Sequence, residues 1–274
     1  MIFFVDFRDR DVGGPVLPGK VVFPAFADPS ATEDALRLAE RVIVLVHGFN
    51  VDRPSGQAKL HAFAGKLPGA TDAAIVAVTW PGDSWAGAAS YPFEGNDADD
   101  TAIELARFLD RVIIEGTPLS FASHSLGARV VFGAIERLEA GRYPIGQLCV
   151  MAAAVDDVSV SAPADYRPPV EAAERVAVLA SQTDSVLKWA YPLGDLLQSF
   201  LFFWKDHVGL ALGYHGPRPY QRLGVPTDVL HEQIATSLEV SHGDYLFDGV
   251  PSAKQARAAA FANAVLAGEA APRY

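Results

Sequence analysis

Residues 121–129 read FASHSLGAR, with one serine on each side of a histidine. The apolar run LSFAS predicts a strand, and ARVVFGAIERL after the serines predicts a helix. Ser125 is central in the turn between them, where a serine hydroxyl stands above the carboxyl edge of a sheet. Such a sharp turn needs small residues two positions away on each side, here Ser123 and Gly127. Ser125 is therefore the predicted nucleophile, and Ser123 a small flanking residue.

A serine at the start of a helix could also be a simple N-cap. A turn upstream in the sequence favours a catalytic role for Ser125 instead. The sequence RVIVLVHGFN passes from a buried strand into His-Gly. Gly48 lets the backbone turn and presents an N–H from Phe49 or Asn50. Together with the Leu126 N–H this predicts two donors for a developing oxyanion, each worth roughly 3–4 kcal/mol.

A nucleophilic serine needs a histidine as general base, and on this kind of turn the histidine comes last in the chain. His242, in EVSHGDYL, follows the short run 237–240, which we expect to be the last strand. His231 and His215 are the alternatives. We favour His242, because His231 is expected in a solvated loop and His215 in an insertion.

The base needs an acid that orients it, and two strand ends offer one. Asp184 follows the predicted strand RVAVLAS. Asp156 and Asp157 follow the earlier strand QLCVMAAAV and are alternatives, although they also fit structural carboxylates of a loop. We favour Asp184.

Four further residues are candidates for substrate binding. Asn50 adjoins the oxyanion turn, and Trp80 ends a strand in VTWPGD, where it either shapes the pocket or belongs to an ordinary loop. Phe202 and Phe203 fall in the aromatic segment 193–213, between the acid and the base in sequence. They either line an acyl site or fill a satellite core.

Strands alternate with helical patterns along the chain, which predicts an α/β fold with a mostly parallel sheet flanked by helices. We expect one domain over residues 1–274, with a cap-like insertion at about 191–226. The predicted strands are 2–7, 41–49, 73–80, 119–123, 147–155 and 175–181, and the predicted helices follow residue 30, residue 96 and Ser125.

The amino-acid composition indicates which kinds of molecule the protein binds and where it is located. The net charge is −11, from 33 acidic and 22 basic residues, and it disfavours nucleic acid. The apolar piece 200–204 is too short to span a membrane, and the start has no basic region of a secretory signal, so we expect a cytoplasmic protein. The lone Cys149 is expected to be a small buried hydrophobe. No spacing typical of a metal or nucleotide cofactor is present, and self-association as a homo-oligomer is left open.

The sequence resembles the α/β-hydrolase superfamily, and within it a bacterial branch without assigned function. The resemblance is carried by VHGFN, VTWPGD, SHSLGARV, AAAVDD, SQTDSVLK and SHGDYL, over most of residues 40–247. It implies serine-dependent hydrolysis with Ser125, Asp184 and His242 as the triad, and it supplies no substrate. We expect a small-molecule ester or related acyl compound. An acyltransferase with the same triad, or a binding protein on the hydrolase fold, is the alternative.

Overall fold

A computed structural model describes residues 1–23, 29–67, 73–83, 94–190 and 210–274. These residues form an eight-stranded sheet in the order β2-β1-β4-β3-β5-β6-β7-β8. The β1–β2 pair is antiparallel, and every other neighbouring pair is parallel. The strands are β1 (Ile2–Asp6), β2 (Lys20–Phe23), β3 (Val42–Val46), β4 (Ala74–Thr79), β5 (Leu119–His124), β6 (Ile145–Met151), β7 (Ala173–Ser181) and β8 (Val229–Ile234).

Helices flank this sheet, with α3 packed on α4, and α7 packed on β5 and β6. They are α1 (Pro29–Arg37), α2 (Arg53–Ala64), α3 (Glu94–Val112), α4 (Gly127–Arg137), α5 (Arg167–Ala172), α6 (Leu212–His215) and α7 (Ala253–Leu266). A π-helical turn covers Val186–Ala190, and a 3-10 turn covers Thr236–Leu238. The predicted α/β fold with a mostly parallel sheet is confirmed.

The central strands are buried on both faces, which explains their unbroken apolar sequences. All five residues of β3 and all six of β4 are buried. Cys149 lies in β6 and is also fully buried, and this burial raises the pKa of its thiol. β-branched side chains in such a layer fit the strand conformation and fill the core against the helices.

The last strand is not where the sequence predicted it. Residues 236–238 form the 3-10 turn, and Glu239 after it is left-handed, with φ 48°. The strand is instead VLHEQI, which places His231 in β8 rather than in a loop. Among the described residues β8 pairs with β7 alone, at the edge of the sheet. Its polar residues therefore stay partly exposed and hide the apolar pattern.

Four helices and one further strand escaped the sequence pattern, and of these helices α5 and α6 are only six and four residues long. Helix α2 begins at the N-cap Asp52, whose carboxylate accepts the Ser55 N–H at 2.8 Å. Helix α7 begins with a capping box between Ser252 and Gln255. Both are rich in alanine, so the contrast between their buried and exposed faces is weak. Strand β2 is only four residues long.

Among the described residues, no helix has the length and apolar character needed to cross a bilayer.

Candidate active site

The serine predicted as nucleophile lies in a strained turn between β5 and α4. Ser125 has a φ of 55°, a left-handed conformation that is unusual for a residue with a side chain. Two main-chain bonds hold it there: the Ser125 N–H donates to Met151 O at 3.0 Å, and its carbonyl accepts the Ala154 N–H at 3.1 Å. The neighbouring strand end therefore fixes the turn that lifts Ser125 above the sheet.

Two glycines allow the turn after β3 to pack against the turn that carries Ser125, which we call the elbow. A Cβ on Gly127 would lie 2.6 Å from His47 O and 2.9 Å from Val46 O, so only glycine allows α4 to begin this close to β3. A Cβ on Gly48 would lie 2.8 Å from the Ser125 Cβ. The backbone after β3 is thereby placed directly beside the serine.

The three residues predicted as a triad meet in the structure. His242 Nε2 lies 2.8 Å from Ser125 Oγ, and His242 Nδ1 lies 2.7 Å from Asp184 Oδ2. A carboxylate only accepts, so Nδ1 carries the proton and Nε2 is left to accept the Ser125 hydroxyl proton. This is the tautomer in which a histidine can act as a general base towards the serine.

Asp184 is fully buried, and its two oxygens have separate tasks. Oδ1 accepts the N–H groups of Val186 and Leu187, both at 3.0 Å, at the start of the π-helical turn. Oδ2 faces His242. The sequence Asp-Ser-Val-Leu after β7 thus fixes the carboxylate by a local cap and points its other oxygen at the histidine.

The alternative acids are engaged elsewhere. Asp157 lies 3.4 Å from Arg218 Nη1, and its N–H donates to Leu210 O at 2.8 Å. Burial raises the pKa of Asp157, and the Arg218 charge opposes that rise. Asp156 forms an isolated antiparallel bridge with Ala211. The main chain of both residues and the Asp157 carboxylate hold the chain after residue 209 against the end of β6.

The alternative bases are placed apart from Ser125. His231 is exposed on the edge strand β8, and His215 is exposed at the end of α6. Within the described ranges, neither makes a hydrogen bond or ring contact with Ser125 or Asp184.

Trp80 lies behind the site rather than in it. Its side chain is fully buried, and its ring stacks on that of His47 at 5.8 Å between centroids. The indole N–H donates to His47 O at 3.0 Å, and His47 Nδ1 donates to Gly48 O at 2.8 Å. Burial lowers the pKa of His47 to about 4, so this histidine is neutral at pH 7. Trp80 therefore supports the turn beside Ser125 and presents no surface to a substrate.

The two residues proposed for the upstream oxyanion donor differ in the structure. Asn50 is exposed and left-handed, with φ 57°, and its N–H donates to Gly82 O at 2.7 Å. Phe49 is half-buried and packs against the core. Leu126 is the N-cap of α4, at the helix end where N–H groups have no acceptor within the helix.

A buried ion pair that the sequence pattern did not reveal braces this turn. Arg8, fully buried after β1, lies 2.5 Å from Asp83 Oδ1. Its guanidinium also donates to Trp80 O at 3.1 Å and Val51 O at 3.2 Å. The only sequence signal was charge next to predicted strand ends, in FRDRD and WPGD. Arg8 ties together the ends of β1 and β4 and the segment after β3.

Phe202 and Phe203 lie outside the described residues, so their role in substrate binding stays a prediction. In the described part of the chain, no group of three or more His, Cys, Asp or Glu residues is arranged to hold a metal ion.

Comparison with known families agrees with this architecture. The profile of one family, described as an alpha/beta hydrolase of unknown function (DUF900), matches residues 30–195, more than half of the chain. The matched region contains Ser125 and Asp184, whereas His242 lies beyond it. No curated protein matches the chain in sequence. The chain therefore belongs to the DUF900 family of α/β-hydrolases of unknown function.

Proposed function

We propose that this protein is a serine hydrolase that cleaves carboxylic esters or related acyl compounds through an acyl-enzyme. The observation that carries the proposal is the position of His242, which bridges Ser125 Oγ at 2.8 Å and buried Asp184 at 2.7 Å. A serine that served only as an N-cap would need neither a histidine nor a carboxylate behind it.

In the proposed reaction, Ser125 Oγ forms a bond to the carbonyl carbon while its proton passes to His242 Nε2. The imidazolium gives that proton to the leaving alcohol oxygen as the ester C–O bond breaks, which leaves the acyl group on Ser125. Water then attacks in the same way and releases the acid. Asp184 keeps the ring oriented and stabilises its transient charge.

We assign the oxyanion donors to the N–H groups of Leu126 and Phe49. Leu126 N–H is at the start of α4, where the helix dipole also favours negative charge. Phe49 follows Gly48, whose backbone lies against Ser125. The Asn50 N–H donates to Gly82 O, which leaves the exposed side chain of Asn50 as a contact for the substrate.

A fluorophosphonate probe tests the proposal, because it modifies a serine only where a base activates it. We expect the wild-type protein to be labelled at Ser125 and to hydrolyse nitrophenyl acetate or butyrate. Ser125→Ala should abolish both activities.

Ser123→Ala is the matched control for this experiment. Ser123 is buried, and its Oγ has no hydrogen-bond partner in the described structure, so its loss should leave labelling unchanged. Labelling that persists in Ser125→Ala, or its absence from folded wild type, contradicts the proposal. A transferred acyl group in the presence of added alcohol would assign the same triad to acyl transfer.

A further inference from the structure

His124, the histidine next to the nucleophile, contacts the loop that carries His242. Its Nε2 lies 2.9 Å from the main-chain oxygen of His242. A carbonyl oxygen only accepts, so His124 Nε2 carries the proton and donates. The His124 ring also lies 4.8 Å from the His242 ring and 5.5 Å from that of Tyr245, between centroids.

The same ring faces the turn after β3. A Cβ on Gly48 would lie 3.1 Å from His124 Nδ1, so glycine at that position leaves room for the imidazole. One side chain thus touches all three segments of the site: the turn after β3, the elbow from which it projects, and the loop of His242.

The loop that carries His242, residues 239–247, follows the last strand and adds no strand of its own to the sheet. Side chains hold it at several points: the hydroxyls of Ser181 and Thr183 donate to Val240 O at 2.7 and 2.9 Å. In the described parts of the chain, His124 is the residue that hydrogen-bonds the main chain of His242 itself. Loss of this bond should therefore act first on the imidazole next to Ser125.

The charge state of His124 suits a neighbour of the base. Burial is the main cause that lowers the pKa of His124 well below its ordinary value, and the nearby His242, Lys59 and His47 lower it further. The other ionisable group against its ring, Tyr245, has a pKa raised by burial and stays uncharged. A neutral His124 adds no positive charge beside His242 when that ring takes the serine proton.

We propose that His124 is a positioning residue, which aligns the imidazole of His242 between Ser125 and Asp184 by donating to the His242 main-chain oxygen. This inference rests on the proposed serine hydrolase function. His124 takes no proton from Ser125, because its Nε2 proton points away from the serine to His242 O.

Three substitutions separate the hydrogen bond from the space that the ring fills. His124→Phe keeps an aromatic ring and removes the donor. His124→Leu removes both and serves if the phenylalanine variant does not fold. His124→Gln carries an amide N–H that can reach the position of Nε2. We expect kcat to fall about tenfold in the first two variants, because the net free energy of one hydrogen bond corresponds to a rate change of that size. His124→Gln should recover to within about threefold of wild type.

The measurements are kcat and KM on nitrophenyl butyrate, the rate of fluorophosphonate labelling, and the Tm. A positioning role lowers kcat and the labelling rate at nearly constant KM, and the glutamine variant restores both. His61→Phe, at an exposed position of α2, is the matched control and should keep wild-type rates.

Two failures are distinguishable. If folded His124→Phe and His124→Leu label and turn over at the wild-type rate, the inference about His124 is wrong while the hydrolase proposal stands. Equal losses in the phenylalanine and glutamine variants also overturn it, because the donor then does not matter. If the wild-type protein itself is not labelled at Ser125, the proposed function fails first.

Discussion

The proposed nucleophile and the proposed base are held in place by different kinds of contact. Ser125 is fixed by main-chain hydrogen bonds to Met151 and Ala154 and by the close packing of Gly127 on the end of β3. The loop 239–247 is fixed to the rest of the described chain by side chains. The position of the elbow thus depends on backbone geometry. The position of loop 239–247, which we call the base loop, depends on the side chains that surround it.

The position of each segment in the sheet explains this difference. β5 is central, with β3 and β6 on either side, so the turn after it meets the ends of two other strands. β8 is the edge strand, and the chain beyond it has no further strand to pair with. Helix α7 supplies part of the support: Lys254 Nζ donates to Glu239 O at 2.6 Å, and Gln255 Nε2 donates to Gly243 O at 3.2 Å.

The largest effect is expected from Asp184, which connects the two regions by orienting His242. Asp184→Asn should lower kcat by about four orders of magnitude, because an amide can donate to Nδ1 and stabilise the wrong tautomer. Nitrophenyl ester turnover measures this, with circular dichroism to show that the variant is folded.

Asp156→Asn is the control for the acid, since Asp156 lies at the other strand end and bridges to Ala211. It should change turnover only through a small loss of stability. A folded Asp156→Asn that is more damaged than Asp184→Asn would move the acid to the end of β6.

Acid should lower the free energy of unfolding through His47, which supports the turn beside Ser125. Its pKa is about 4 in the folded protein and about 6.5 when unfolded, so protons bind the unfolded chain first. The stabilisation by neutral His47 is complete above pH 6.5 and is lost as the pH falls towards 4. Over that range wild type should lose about 3 kcal/mol more unfolding free energy than His47→Gln.

Urea unfolding at pH 7, 5.5 and 4 measures this difference. His61→Gln, an exposed histidine on α2, should follow wild type at every pH. If wild type and His47→Gln lose stability in parallel, the neutral state of His47 does not support the fold.

The smallest effect tests the side-chain anchoring of the base loop. Ser181→Ala with Thr183→Val removes both hydroxyls that donate to Val240 O and should lower stability by about 1 kcal/mol. Turnover should fall by up to tenfold because His242 is two residues from Val240.

Ser120→Ala is the matched control for this double variant. Ser120 is buried in β5, and its hydroxyl accepts the Gln147 N–H at 3.2 Å, away from the base loop. It should lower stability by a similar amount without lowering turnover. Equal turnover in the two variants would show that hydroxyl anchoring does not position the base.

Apolar runs and turn chemistry in the sequence determined the strands from β3 to β7 and the helices α3 and α4. They also determined the placement of Ser125, since strand, small residues and helix are local signals. The position of Asp184 directly after the strand β7 is a local signal as well. The edge strands β2 and β8 and the alanine-rich helices α2 and α7 escaped because burial on one side gives them a weak pattern. Helices α5 and α6 escaped because they are only six and four residues long.

The sequence predicted which three residues form the triad, whereas the tertiary structure alone decided their distances and the contacts that surround them. His242 comes within 2.8 Å of a serine 117 residues earlier in the chain, past an edge strand that the sequence misplaced. Trp80 is turned behind the site, Arg8 pairs with Asp83 across 75 residues, and His124 donates to the base loop. These contacts depend on strand order and on the path of loops between strands, and neither leaves a periodic signal in the sequence.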